Sequence, residues 1–212
     1  MKVTVIDYGL CNLLSVCNAL KHVGANPGIV SDPDKVLHAE RLVLPGVGAF
    51  QNGMDGLRAN GMVDAVKSYA ALGRPLLGIC LGMDFLMDKS FEFGEHDGLG
   101  IIPGQVENLK QQASVGQAGL KVPHIGWNYL APSDHSWDKT ILAGLDKGVD
   151  MYFVHSFHVV PRHRADCLAM TFYGTHAFCS VVARGSVYGC QFHPEKSGVS
   201  GLKILDNFVR LP

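Results

Sequence analysis

Along its first ninety residues the chain alternates short β-branched runs with stretches of helical spacing. Residues 2–7 predict a strand, and residues 12–23 a helix stopped by Gly24. Residues 27–31 predict a second strand, and residues 41–44 a third that ends at Pro45-Gly46. Residues 53–72 carry helical spacing with a break at Asn60-Gly61, and residues 75–79 form an almost wholly apolar run. A strand that is apolar on both faces belongs in the middle of a parallel sheet covered by helices. The pattern therefore predicts an α/β fold, with an open, largely parallel central sheet flanked by helices.

The second half reads differently. Residues 101–108, 127–130, 151–160, 167–173, 177–184 and 187–192 are strand-like with little helical spacing between them, so antiparallel strands are expected to extend the sheet. Residues 201–209 predict a closing helix, and the polar, Gln-rich residues 110–119 a surface loop. There is no internal repeat and no long polar linker, so residues 1–212 are expected to form one domain.

Composition narrows the function classes. Apolar residues make up 47% of the chain and charged residues 17%, which excludes global disorder. Lys and Arg total 18 against 19 for Asp and Glu, so the cationic excess that holds nucleic acid non-specifically is missing. Asp7 interrupts the N-terminal apolar run, and no apolar stretch is long enough to span a bilayer. A cytoplasmic protein with neither nucleic acid nor membrane as partner is expected. The six cysteines show no CxxC pair and no zinc-ligand spacing, which argues against a disulfide framework or a metal site.

One cysteine has chemical surroundings. Cys80 sits in Gly78-Ile79-Cys80-Leu81-Gly82, after the apolar strand and before the helix-compatible residues 83–87. This G-x-nucleophile-x-G pattern fits an elbow in which glycines permit a strained strand-to-helix turn and the helix N-terminus favours a thiolate. GxCxG alone also fits a buried cysteine between two glycines. His193-Pro194-Glu195 follows a strand; if the segment stays extended, His193 and Glu195 lie on one side as a base and its orienting acid. By itself the triplet also fits a strand-end histidine and a solvated glutamate. Residues 45–50 hold two glycines after a strand, and fit either an oxyanion hole of backbone N–H groups or an ordinary loop.

Together these residues carry a resemblance. The chain resembles the class I (triad) glutamine amidotransferases over nearly its whole length, and among them the glutaminase subunits of imidazole glycerol phosphate synthase. The resemblance rests on the elbow and on Val122-Pro123-His124-Ile125-Gly126-Trp127-Asn128. It rests equally on Tyr152-Phe153-Val154-His155-Ser156-Phe157, on Gln191 through Gly198, and on the Asp7-Tyr8-Gly9 opening. It implies that Cys80 attacks the side-chain amide of glutamine, His193 moves the protons, Glu195 holds His193, and backbone at Val47, Gly48 and Leu81 receives the oxyanion. It places Gly48, Asp84, His155, Ser156 and Phe157 at the substrate. Trp127, Asn128, Tyr152 and Lys196 are placed against a cyclase subunit, a (β/α)8 barrel joined in a heterodimer, which uses the ammonia to make imidazole glycerol phosphate in histidine biosynthesis. It implies no metal and no organic cofactor.

The chain departs from the family pattern at Asp84, where Gln is usual, at Cys11, where the opening motif has a second Gly, and at the variable Ala49. An ionised Asp only accepts hydrogen bonds whereas Gln also donates, so Asp84 is expected to weaken glutamine binding and spare the triad. The alternatives left open are a paralogous subunit serving another ammonia-using partner, a glutaminase impaired by Asp84, a stand-alone thiol hydrolase, and a non-catalytic assembly subunit.

Overall fold

In the computed structural model, which describes residues 1–212, an eight-stranded sheet carries the elbow near its middle. The first half contributes β1 (Lys2–Ile6), α1 (Leu13–His22), β2 (Asn26–Val30), α2 (Pro33–Val36), β3 (Leu42–Gly46), α3 (Phe50–Ala59), α4 (Met62–Ala71), β4 (Leu76–Cys80) and α5 (Leu81–Phe85). The second half begins with β5 (Lys89–Ser90), β6 (His96–Asp97), β7 (Gly104–Asn108), α6 (Ala113–Gly116), β8 (His124–Tyr129) and β9 (Ala131–Pro132). It continues through β10 (Asp150–His155), β11 (Phe157–Pro161), β12 (Cys167–Tyr173), β13 (His176–Arg184), β14 (Val187–Cys190) and α7 (Gly198–Arg210).

The main sheet runs β2-β1-β3-β4-β14-β13-β12-β9. The first five strands in that order are parallel, and β13, β12 and β9 add antiparallel pairings, as the apolar pattern predicts. Two details differ from expectation. β14 enters as a parallel neighbour of β4, which brings the segment after Cys190 beside Cys80. The other late strands leave the main sheet: β8 pairs with β10, while β11, β7, β5 and β6 form a sheet of four.

Residues 151–160 are two strands, not one. The chain switches from β8 to β7 at Ser156, whose carbonyl accepts from Leu109 N–H while the His155 ring donates to the Phe157 carbonyl. Residues 110–119 also hold more structure than a loop, because buried Val115 anchors α6.

Strand alternation divides the apolar residues between the two faces of the sheet. Val5, Val43, Leu77 and Ile79 face α1 and α7, packing with Leu20, Leu205 and Phe208. Leu42, Leu44 and Leu76 face the other way, with Met54, Leu57, Tyr69 and Phe85 of the opposite helices. On that second face α5 lies backbone to backbone on β3 and β4. A Cβ at Gly82 would stand 1.8 Å from the Leu44 carbonyl oxygen, and one at Gly78 would stand 2.5 Å from that of Gly82. Only residues without side chains allow this approach.

Gly82→Ala should therefore cost about 1–3 kcal/mol of stability, as overpacking does. Gly28→Ala, where a Cβ meets nothing within 4 Å, should be near neutral. Denaturant unfolding of both variants checks this, and equal midpoints would contradict the close approach.

Candidate active site

Cys80 ends β4 and opens α5 with φ 54° and ψ −113°, a left-handed conformation that a residue with a side chain adopts only when its surroundings force it. The force is the close seat of α5, which leaves no room for a relaxed turn. Burial raises the Cys80 thiol above its ordinary range, Asp84 and Glu195 add to the rise, and the Leu81 N–H and Lys196 pull against it. Part of the side chain stays open to the cleft, so solvent tempers the burial penalty without reversing it. Burial thus opposes the thiolate that a helix N-terminus favours. α5 has only five residues, and burial outweighs the effect of its N–H groups.

His193 and Glu195 meet, but not along an extended segment. Residues Pro194–Lys196 form a 3-10 turn, and across it His193 Nδ1 donates to Glu195 Oε1 at 2.8 Å, with both side chains buried. A proton on Nδ1 leaves the Nε2 lone pair as the basic site of the ring. The backbone of His193 is held from two sides. Its N–H donates to the Tyr152 carbonyl, and its carbonyl accepts from Ser197 Oγ at 2.6 Å, while that hydroxyl accepts from Tyr152 N–H. Ser197 is a positioning residue that sequence reasoning missed; its only signal was its place directly after His193-Pro194-Glu195-Lys196.

Cys80 and His193 line one cavity of about 290 Å³, together with Val47, Gly48, Leu81, Asp84, His155, Ser156 and Phe157. Every residue assigned to triad, oxyanion or substrate on sequence grounds lines it except Glu195, which stands behind His193. Val47 N–H is turned to the Leu10 carbonyl at 3.4 Å, and Gly48 takes φ 97°. The cleft also holds Glu92 and Gln191, neither of which stood out as a site residue in the sequence. Glu92 accepts from Phe50 N–H at 2.6 Å, and burial raises its carboxyl above the usual range. Asp84 is 6% exposed, and burial followed by the charge of Glu92 raises it well above the usual carboxylate range. An Asp only accepts while it is ionised, and this burial favours its neutral form.

Behind the cleft a chain of neutral imidazoles is fixed by its ends. His155 Nδ1 donates to the Phe157 carbonyl at 2.8 Å, so its Nε2 accepts from His124 Nδ1 at 3.0 Å. Burial lowers these rings to about 3 and about 4 respectively, which keeps both uncharged at neutral pH. Asn128 closes the chain on His124 and also donates to the Phe172 carbonyl, so its amide works inside the protein. On the outer face of β8, Ile125, Trp127 and Tyr129 are exposed at alternate positions. Trp127 stands edge-on to Tyr152, and the exposed Lys196 ammonium lies over the Tyr152 ring at 6.0 Å. Trp127, Tyr152 and Lys196 thus gather into one patch beside the mouth of the site.

Comparison with known proteins agrees with this geometry. The family model for "Glutamine amidotransferase class-I" matches residues 4–211. The imidazole glycerol phosphate synthase subunit HisH 1 of Legionella pneumophila (strain Lens) is 44% identical over 211 residues, covering 99% of each chain. The HisH subunit of Syntrophotalea carbinolica is 46% identical over 210 residues, covering 97% of this chain and 98% of its own. Among solved structures, PurLQS from Thermotoga maritima has a TM-score of 0.72 at 21% identity, covering 98% of this chain and 97% of the matched chain. A crystal structure of a glutamine amidotransferase has a TM-score of 0.71, also at 21% identity, covering 99% of this chain and 97% of its own. At that identity the two structures speak for the fold.

Proposed function

The chain belongs to the class-I glutamine amidotransferases, and on that premise we propose that it is the glutaminase subunit of an imidazole glycerol phosphate synthase, hydrolysing glutamine to glutamate and ammonia for histidine biosynthesis. The observation that carries the chemistry is the strained Cys80 at the end of β4 beside the His193–Glu195 pair that follows the parallel strand β14. Because burial favours the protonated thiol, His193 Nε2 takes its proton as the sulfur attacks the side-chain carbonyl of glutamine. The oxyanion is received by backbone N–H groups at Leu81 and Gly48, with Val47 joining once its N–H leaves Leu10. His193 returns the proton to the departing nitrogen, ammonia leaves, and a thioester remains on Cys80. Water deprotonated by His193 then releases glutamate. Glu195 orients the ring and steadies its charged form. Amide hydrolysis through a thioester calls for neither a metal nor an organic cofactor.

The partner in this reading is a cyclase subunit built as a (β/α)8 barrel, joined in a heterodimer. Exposed apolar residues gathered at the mouth of a site mark a protein-binding surface. The outward Ile125, Trp127 and Tyr129 face, with Tyr152 and Lys196 beside it, supplies one that would pass ammonia directly across. Asn128 serves that surface indirectly, by holding β8 in place from within. Residues 1–212 act as one domain, in the cytoplasm, with no nucleic acid or membrane as partner; no helix is long and apolar enough to cross a membrane. The loop around Gly48 is the switch in this reading: its rearrangement frees the Val47 N–H from Leu10, and the positive φ of Gly48 is one that glycine takes at little steric cost.

The reading is tested by following glutamate release with and without the cyclase subunit and its ribotide. Turnover should be slow alone and strongly stimulated by the loaded partner, and Cys80→Ala should lower the stimulated rate about a thousandfold or more. Full speed without a partner would favour a stand-alone hydrolase, and normal turnover by Cys80→Ala would remove the triad assignment. Gly48→Val should cut the stimulated rate by about a hundredfold, the loss of one oxyanion donor, and the basal rate by less. Equal losses would remove the switch.

A further inference from the structure

The cleft holds more acid than the chemistry of the triad uses. Asp84 lies one helical turn past Cys80, almost wholly buried, and its Oδ1 has no hydrogen-bond partner. Glu92 lines the same cavity, and so does Gln191, which is fully buried with both amide atoms unpartnered. Buried polar groups without partners are rare in folded proteins, and residues carrying them that line one cavity point to a polar ligand there. Glutamine brings one ammonium and one carboxylate. If Asp84 and Glu92 were both ionised, three carboxylates would share a closed cleft with a single ammonium, an arrangement relieved by one proton.

Geometry decides which acid carries that proton. Glu92 is only half-buried, its Oε2 is stabilised as an anion by Phe50 N–H, and His96 stands near it. Asp84 has no such donor and less water. The groups facing it are Cys80 at the end of β4, Glu92, and His155 and His193 across the cavity. β3 and β14 add no charged side chain, Asp55 and Arg58 of α3 are exposed and paired with each other, and His158 of β11 packs against His176.

We propose that Asp84 acts as a neutral carboxylic acid, donating its O–H to the α-carboxylate of bound glutamine while Glu92 alone supplies the negative charge that meets the α-ammonium. This rests on the glutaminase reading and adds to it a proton that binding requires. Asp84 thereby supplies the hydrogen that the amide usual at this position would donate. The raised carboxyl of Asp84 agrees with this. As pH rises through the folded-state pKa of Asp84, the O–H is lost, a second negative charge appears, and glutamine affinity falls.

The test is titration calorimetry of L-glutamine into the full chain carrying Cys80→Ala, which binds without turnover, from about pH 6 to about pH 9 in buffers of different ionisation enthalpy. The dissociation constant should rise toward tenfold per pH unit at the upper end, with uptake of a proton on binding. With Asp84→Gln added, both the rise and the proton uptake should shrink to what ionisation of the glutamine amine alone produces. Asp84→Asn serves as the nearly isosteric second variant if the longer amide disturbs folding. A constant that does not change with pH before substitution, or the same proton uptake after it, overturns the proposal. Absence of glutamine binding at every pH would instead overturn the glutaminase reading.

Discussion

The close seat of α5 on β3 and β4 is the constraint on which the site depends. Gly82 lies so near the Leu44 carbonyl, and Gly78 so near Gly82, that strand and helix are joined without space for a relaxed connection. The strain falls on Cys80, whose φ of 54° turns its side chain out of the sheet and into the cleft. Conformations of this kind cost of order 1–3 kcal/mol and persist only when packing over-determines them. Here both core faces supply that packing, with Leu77 and Ile79 pressed against α1 and α7, and Leu76 against the opposite helices.

The second half of the site follows from one choice of topology. By pairing parallel to β4, β14 ends at the same edge of the sheet as the nucleophile, so the 3-10 turn after it presents His193 to the cavity that Cys80 enters. Ligands of open α/β sheets bind beyond the carboxyl ends of the strands. The electrostatics then favour a thiol that waits. Burial, with the charge of Glu195, raises the Cys80 thiol, while Val47 N–H is turned toward Leu10.

Much of this was legible in the residues. The apolar run before Gly78 marked a central parallel strand, the two glycines marked the elbow, and the His193-Pro194-Glu195 triplet marked a histidine paired with its neighbouring glutamate. What escaped was decided by long-range contacts. Residues 151–160 read as one strand because their apolar pattern is continuous, yet the break at Ser156 is set by the distant Leu109. β14 lies among strands that read as antiparallel, and only its neighbour decides its direction. Glu92 carries no motif, and only the fold brings it beside Asp84 at the cavity; the burial of Asp84 is likewise set by the packing of α5. Side-chain periodicity reports local exposure; it carries no information on which elements meet.

The central claim is that packing places Cys80 in the cleft and that its burial holds the thiol above its ordinary range in the free protein. The pH dependence of Cys80 alkylation by iodoacetamide, followed by peptide mass spectrometry in the free protein, tests it most directly. The account predicts slow labelling at neutral pH that keeps rising beyond the ordinary thiol range near pH 8.5. A rate that already plateaus below about pH 7 would reveal a preformed thiolate and contradict it.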